Sequence, residues 1–117
     1  MADVTLTHQR ATRSGLEEVY STSSTDPALS TTDRFLIENN GKLLLRVATG
    51  DTATTVTIEI PQTVDGQSVT SRSVAVPANS HRTIGHFPTS IYNNADSQIA
   101  ITLSAVTNVE LAAVCLP

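Results

Sequence analysis

The three histidines of this chain, His8, His81 and His86, are the residues best suited to bind a metal ion or to transfer protons. Zinc ligands must converge on one point, whereas successive side chains of a strand alternate between its two faces. His81 and His86 are five residues apart, so one strand would point them to opposite faces unless a bulge intervened. The spacing favours surface or hydrogen-bonding roles over metal binding.

The acidic residues show no catalytic or calcium-binding spacing. Asp51, Asp65 and Asp96 fall in predicted turns, where an aspartate side chain bonds nearby backbone amides. The Asp-x-Asp-x-Asp run of a calcium loop does not occur in the sequence. A carboxylate pair for glycoside hydrolysis would require glutamates that are distant in sequence to meet in the fold. Turn formation is therefore the favoured role of these aspartates.

Nucleophiles are abundant but lie outside the motifs that activate them. Serine and threonine make up a quarter of the chain, yet neither a Gly-x-Ser-x-Gly elbow nor a glycine-rich phosphate loop occurs. Cys115 is the single cysteine, which excludes an internal disulfide, and its apolar neighbours indicate a small buried hydrophobe. The residues predict a protein that is not an enzyme and needs no metal or cofactor.

Aromatic residues give only weak support to sugar binding. Sugar platforms stack on exposed Trp or Tyr side chains, and the chain has no Trp and two Tyr, Tyr20 and Tyr92. Phe35 and Phe87 are expected in the core. A carbohydrate-binding module is nevertheless an alternative that the residues leave open.

Two segments in which apolar and polar residues alternate are predicted to be strands of the scaffold that holds these candidate side chains. Residues 54–60 and 97–103 place every second side chain on the same face, which is the period of a half-buried strand. The apolar set of both segments is expected to be buried: Val56, Ile58, Ile60, Ile99, Ile101 and Leu103.

Turn residues divide the rest of the chain into further short strands. Asn39-Asn40-Gly41 and Asp65-Gly66 are turn sequences, and Pro61, Pro77 and Pro88 end strands because proline lacks a backbone donor. Seven or eight strands, about 8 to 15 residues apart, predict an all-β domain. We expect an antiparallel two-sheet β-sandwich, jelly-roll or Ig-like, over residues 34–117.

Charge and hydropathy exclude two classes of partner. The net charge is −4, from 11 acidic and 7 basic residues, and the basic residues do not cluster after Arg13. Nucleic-acid binding is disfavoured because phosphate contacts need a concentrated basic patch. The sequence has neither a secretory signal nor an apolar run of the roughly 18 to 20 residues that span a bilayer. We expect synthesis in a cytoplasm and no membrane partner.

Residues 1–33 are predicted to form an extended N-terminal arm and loop. Large aliphatic side chains are sparse there, so we expect ordering mainly through contact with another molecule. The final strand is unusually apolar on both faces, which predicts self-association through Ala112 and Val114. The alternative is that the arm of the same chain covers this strand.

A resemblance covers residues 35–117. The segments that carry it are Asn40 to Val47, Val56 to Ile58, Thr63 to Gly66, Val74 to Ala78, Ile84 to Pro88, Ile91 to Asn93 and the ending Leu116-Pro117. In these segments the chain resembles the small β-rich head decoration proteins of tailed bacteriophages, which sit on the outside of the capsid lattice.

The resemblance implies a virion protein on the capsid exterior that cements neighbouring major capsid subunits, often as a homotrimer. In such a role the arm would lie along the capsid, with its arginines meeting acidic groups. The expected capsid-binding residues are Val4, Leu6, His8, Arg10 and Arg13. Head-to-tail connectors and tail-associated structural proteins of similar fold are the nearest alternatives.

Overall fold

The computed structural model describes residues 2–17, 19–25, 28–61, 63–68, 70–85 and 87–116. Within these ranges the chain is almost entirely β-structure, with one helical turn. The elements are β1 (Ala2–Leu6), β2 (Gln9–Arg10), β3 (Asp33–Glu38), β4 (Leu43–Thr49), β5 (Thr54–Ile58), β6 (Thr63–Val64), β7 (Gln67–Ser68), β8 (Arg72–Val76), β9 (His81–Gly85), α1 (Thr89–Tyr92), β10 (Gln98–Leu103) and β11 (Val109–Cys115).

Nine of the eleven described strands form two packed sheets, which confirms the predicted β-sandwich, and β6 and β7 form a separate two-stranded sheet. The first sheet has five strands in the order β1-β3-β10-β5-β8, and the second has four in the order β2-β11-β4-β9. Neighbouring strands are antiparallel except β1 with β3 and β2 with β11, which are parallel. Both sheets are therefore mixed, and both parallel strands come from the N-terminal segment.

The core lies between the sheets and follows the period-two pattern of the strands. On β4, Leu43, Leu45 and Val47 are buried, while the intervening Arg46 is exposed. Burial is confirmed for five of the six aliphatic side chains predicted from the alternation: Val56, Ile58, Ile99, Ile101 and Leu103. The prediction was wrong for Ile60, which is half-buried because β5 ends at Ile58 and the residue packs at the margin of the core.

Amide side chains hold the β3–β4 turn against the loop that carries α1. Asn39 is 3% exposed, and its Nδ2 donates to the carbonyl oxygen of Phe87 at 2.8 Å and to Oδ1 of Asn93 at 2.7 Å. Nδ2 of Asn93 donates in return to the carbonyl oxygen of Asn39. The predicted turn places Gly41 at a φ of 88°, a conformation that glycine adopts without a steric penalty.

Two short elements fall where the sequence predicted only loops. Asp65 and Gly66 both have positive φ, as the predicted turn requires, and this turn closes the hairpin β6–β7. Helix α1 occupies the loop after Pro88 and buries Tyr92, whose ring meets that of Phe87 edge-on with centroids 5.5 Å apart. Two-residue strands and a single helical turn carry too little periodicity to be recognised locally.

The N-terminal segment pairs with both sheets of its own chain. Strand β1 pairs with β3, and Leu6 at its end is buried in the core. Strand β2 pairs with β11, and Ser21 then exchanges two backbone hydrogen bonds with Leu111, of 2.7 and 2.9 Å. The arrangement matches the alternative in which the chain covers its own final strand.

Ile101→Ala tests the core. Ile101 is fully buried at the centre of β10, so the substitution removes apolar burial and leaves a cavity, and we expect a loss of about 2–5 kcal/mol in the free energy of unfolding. Urea denaturation measures it. Thr102→Ala, on the opposite face of the same strand, is the control and should change stability by less than about 1 kcal/mol. Similar losses for both variants would contradict the assigned strand faces.

Leu6→Ala tests whether the N-terminal segment belongs to the folded body. Because Leu6 is 6% exposed and part of the core, truncation should destabilise the domain by about 2–5 kcal/mol in the same assay. Thr5→Ala, exposed on the other face of β1, is the matched control. An unchanged unfolding midpoint in Leu6→Ala would mean that the segment is a free arm.

Candidate interaction surface

The outer face of the second sheet carries polar side chains on three neighbouring strands. The strand register places its side chains in three rows that run across β11, β4 and β9. The rows are Glu110, Ala48 and His81; Ala112, Arg46 and Thr83; and Val114, Leu44 and Gly85.

A groove runs along this face beside the N-terminal segment. One part has a volume of about 500 Å³ and is lined by Thr22, Ser23 and Ser24 on one side and by His81 and Glu110 on the other. A second part of about 180 Å³ is lined by Tyr20, Arg46, Arg82 and Thr83. Ala48 and His81 line both parts, so the two polar depressions lie next to each other on this face. Their hydroxyl, imidazole and guanidinium groups suit hydrogen bonding to a polar partner.

Glycine at position 85 shapes the end of this face. A Cβ at Gly85 would lie 2.7 Å from Cδ2 of Leu44 and 2.9 Å from the carbonyl oxygen of Leu43. Its φ of 150° is also strained for residues with side chains. Glycine therefore leaves the space that Leu44 occupies next to Val114.

The two residues predicted for self-association are covered within one chain. Ala112 and Val114 are 2% and 6% exposed, although they point away from the core between the sheets. Gln9 of β2 is in register with Val114, and Ser21 bridges to Leu111 next to Ala112. Neither side chain is available to a second copy in this conformation. Trimer formation stays a prediction.

The five residues predicted to bind the capsid separate into two groups. Leu6 is buried, and Val4 and His8 are half-buried, with Val4 packed against the core. Arg10 and Arg13 are exposed and present their guanidinium groups to solvent. The structure therefore leaves the two arginines as the accessible members of the set, and their capsid contact stays a prediction.

The remaining candidates for chemistry are dispersed. Among the residues that the structure describes, no group of three or more His, Cys, Asp or Glu side chains could hold a metal ion. His86 lies outside the described residues. Asp51 accepts a hydrogen bond from Nδ2 of Asn108 at 3.1 Å, and Asp65 occupies the hairpin turn. Cys115 is buried.

A charged cluster on the outer face of the first sheet was not visible in the sequence. Arg34 on β3 binds Asp3 on β1 through two hydrogen bonds of 2.9 Å, from Nε to Oδ1 and from Nη2 to Oδ2. Its Nη1 also lies 3.3 Å from Oε2 of Glu59, beyond β10. Ala100 of β10 lies between Arg34 on β3 and Glu59, which directly follows β5, and its small methyl side chain leaves room for the guanidinium to reach across. The cluster ties three strands together.

The ion pair shifts the protonation equilibria of its members. Hydrogen bonding to Arg34 lowers the pKa of the Asp3 carboxyl group, and the bond to Asp3 together with the charge of Glu59 raises the pKa of Arg34. Beside the cluster lies a depression of about 230 Å³ lined by Tyr92, Asn94 and Gln98. Nη1 of Arg72 donates to the Tyr92 hydroxyl at 3.4 Å.

Comparison with known proteins finds no family model, curated protein or solved structure that matches the chain. Within the described ranges, none of the helical structure is long and apolar enough to cross a membrane.

Val114→Glu distinguishes cover by the same chain from cover by a second copy. Because Val114 is already buried in the single chain, we expect the carboxylate to destabilise the isolated domain by several kcal/mol, on the order of 2–5. Thermal unfolding followed by circular dichroism measures this. Thr83→Glu, exposed on the same face, is the control. A stable Val114→Glu monomer that has lost a wild-type oligomer would instead establish an interface.

The titration of Asp3 tests the charged cluster. Its midpoint should lie below the model-peptide value of 3.8 and return toward that value in Arg34→Gln. A carboxyl group whose pKa is lower in the folded state stabilises the fold above its unfolded pKa, and this contribution is lost as the pH falls through the folded pKa. Side-chain carboxyl NMR shifts between pH 2 and 6 follow it. An unchanged midpoint in Arg34→Gln would contradict the pairing.

Proposed function

We propose that the protein is a non-enzymatic virion structural subunit that binds the outer surface of a phage capsid and stabilises the head. The observation that carries the proposal is the asymmetry of the sandwich. The N-terminal segment adds a strand to one side of each sheet, while β8 and β9 end the sheets together on the opposite side. Such a body has distinct surfaces for a lattice and for solvent. The resemblance of residues 35–117 to head decoration proteins supports the same role.

Binding to an assembled shell is sufficient for this function. A subunit that binds the assembled capsid and not its dissociated subunits stabilises the assembly by mass action. The exposed guanidinium groups of Arg10 and Arg13 provide charge-assisted donors for acidic groups of the major capsid protein. A homotrimer at a local threefold position would present three copies of these donors in one orientation.

A carbohydrate-binding role is the second candidate, and one feature favours it. Tyr20 lines the groove next to Arg46 and Arg82, so an aromatic ring and hydrogen-bond donors meet in one depression. A glycan array tests this role directly. Sugar binding that depends on Tyr20, without capsid binding, would replace the first proposal.

The deciding experiment mixes the purified protein with expanded, undecorated capsids of the encoding phage and measures co-sedimentation and capsid melting. We expect saturable binding and a raised melting temperature of the shell. Arg10→Glu combined with Arg13→Glu should weaken binding by about tenfold or more, because it reverses two charges in the contact. Lys42→Glu, an exposed charge reversal in the β3–β4 turn, is the control.

Failure to bind capsids would reject the decoration role. Binding to the purified neck or tail in place of the capsid would identify the connector or tail-associated alternative.

A further inference from the structure

Strand β9 ends the second sheet, and its outer backbone groups have no strand beside them in the described part of the chain. The Thr49 amide donates to the Ser80 carbonyl oxygen at 2.9 Å, and this bond shows which residues of β9 are hydrogen-bonded to β4. Because every second residue of an antiparallel strand bonds to its partner, the backbone groups of Arg82 and Ile84 point toward β4. The backbone amide and carbonyl groups of His81, Thr83 and Gly85 therefore point away from the sheet, where they could form hydrogen bonds with a further strand.

Arg82 covers one of these outward groups. Its Nη1 donates to the carbonyl oxygen of His81 at 2.9 Å. Arg82 is in register with the buried Val47, yet it is exposed because β9 is at the edge. A charged side chain of this kind on an edge strand opposes pairing with strands that cannot neutralise it. Arg82 therefore protects the edge of β9 against strands that lack negative charge, but not against acidic ones.

The charge around β9 is positive in a chain whose net charge is negative. Residues 66–95 contain no Asp or Glu, so all 11 acidic residues lie outside this segment, whereas Arg72, His81 and Arg82 lie within it. Strand β8, which carries Arg72, is the edge of the first sheet on the same side of the sandwich. On the outer face of the second sheet the acidic residue in the row of His81 is Glu110, and β4 separates the two.

These observations also argue against a second copy as the partner. Antiparallel pairing of β9 with β9 of another copy would place two Arg82 side chains near each other, and like charges on facing strands are unfavourable. A partner strand with acidic side chains would attract Arg82 instead of repelling it. Its carboxylates can draw the guanidinium of Arg82 from the His81 carbonyl, which then becomes free to accept a backbone amide.

We propose that β9 is a docking edge for an extended acidic segment of a partner protein, which adds to the second sheet as a further strand. Backbone bonds to His81, Thr83 and Gly85 provide the affinity, and Arg82 selects for negative charge. The proposal does not depend on capsid binding, because it requires only an acidic extended peptide.

The test uses the full chain labelled with ¹⁵N and three blocked synthetic heptapeptides. The first alternates glutamate with valine, the second replaces glutamate with lysine, and the third is the glutamate peptide with every backbone nitrogen methylated, so that neither of its edges can donate a hydrogen bond. The glutamate peptide should shift the amide signals of Thr83 and Gly85 and slow their hydrogen exchange by about tenfold or more at saturation. The lysine peptide should bind at least about tenfold more weakly, and the methylated peptide should not bind.

Two variants and a matched control locate the site on β9. Thr83→Pro removes an outward amide that the native ladder does not use, so the fold should persist while peptide binding is lost. Ser73→Pro makes the corresponding change on β8, where Ser73 also faces away from its partner strand, and should leave binding intact. Arg82→Gln should abolish the preference for glutamate over lysine.

Several results would overturn the proposal. Equal binding of the glutamate and lysine peptides would show that Arg82 does not select for negative charge. Slower hydrogen exchange of the Ser73 and Ala75 amides would show that the peptide binds to β8 instead of β9. Protection of Thr83 that grows with protein concentration and without peptide would identify a second copy as the partner. Absence of binding by the glutamate peptide up to about 5 mM, an affinity of roughly 3 kcal/mol, would reject a docking edge altogether.

Discussion

Unpaired backbone groups at the edges of the two sheets are the constraint around which this protein is organised. A two-sheet sandwich has four edge strands, and each presents amide and carbonyl groups that water or another strand must satisfy. The chain uses its first 21 residues to add β1 to the first sheet and β2 with Ser21 to the second. One segment thus reaches both sheets, and it couples them by covalent continuity as well as by the core.

The apolar character of the last strand is a consequence of this arrangement. Every residue of β11 except Glu110 is buried, which is unusual for a strand that would be the edge of its sheet without β2. Val109, Leu111 and Ala113 face the core, and Ala112 and Val114 on the opposite face are also buried within the single chain, where β2 pairs alongside β11. The apolar residues on both faces of this strand therefore indicated that both faces are buried. They did not indicate whether the same chain or a second copy buries the outer face.

The two sides of the sandwich consequently differ in chemistry. The side that receives the N-terminal segment ends in β1 and the two-residue β2, and it carries the ion pair of Asp3 with Arg34. The other side ends in β8 and β9, whose residues include arginine and histidine and no acid. A protein that lacks a catalytic cluster among its described residues can still have a specific function, because the position of open edges and charge determines which partners fit.

Local sequence determined the longer strands of residues 34–117, the turns and much of the core. Alternation over residues 98–103 and the Asn39-Asn40-Gly41 and Asp65-Gly66 turns act within a few residues, so pattern and backbone preference were enough to identify them. The tertiary structure decided which strands are neighbours, the two parallel pairings, and the meeting of Arg34 with Asp3 across 31 positions. Pairing over such separations depends on how all strands together bury their apolar faces and satisfy their edges. The sequence of a single segment does not show how all the strands pack together. The strand order and the charged cluster could therefore be seen only in the folded chain.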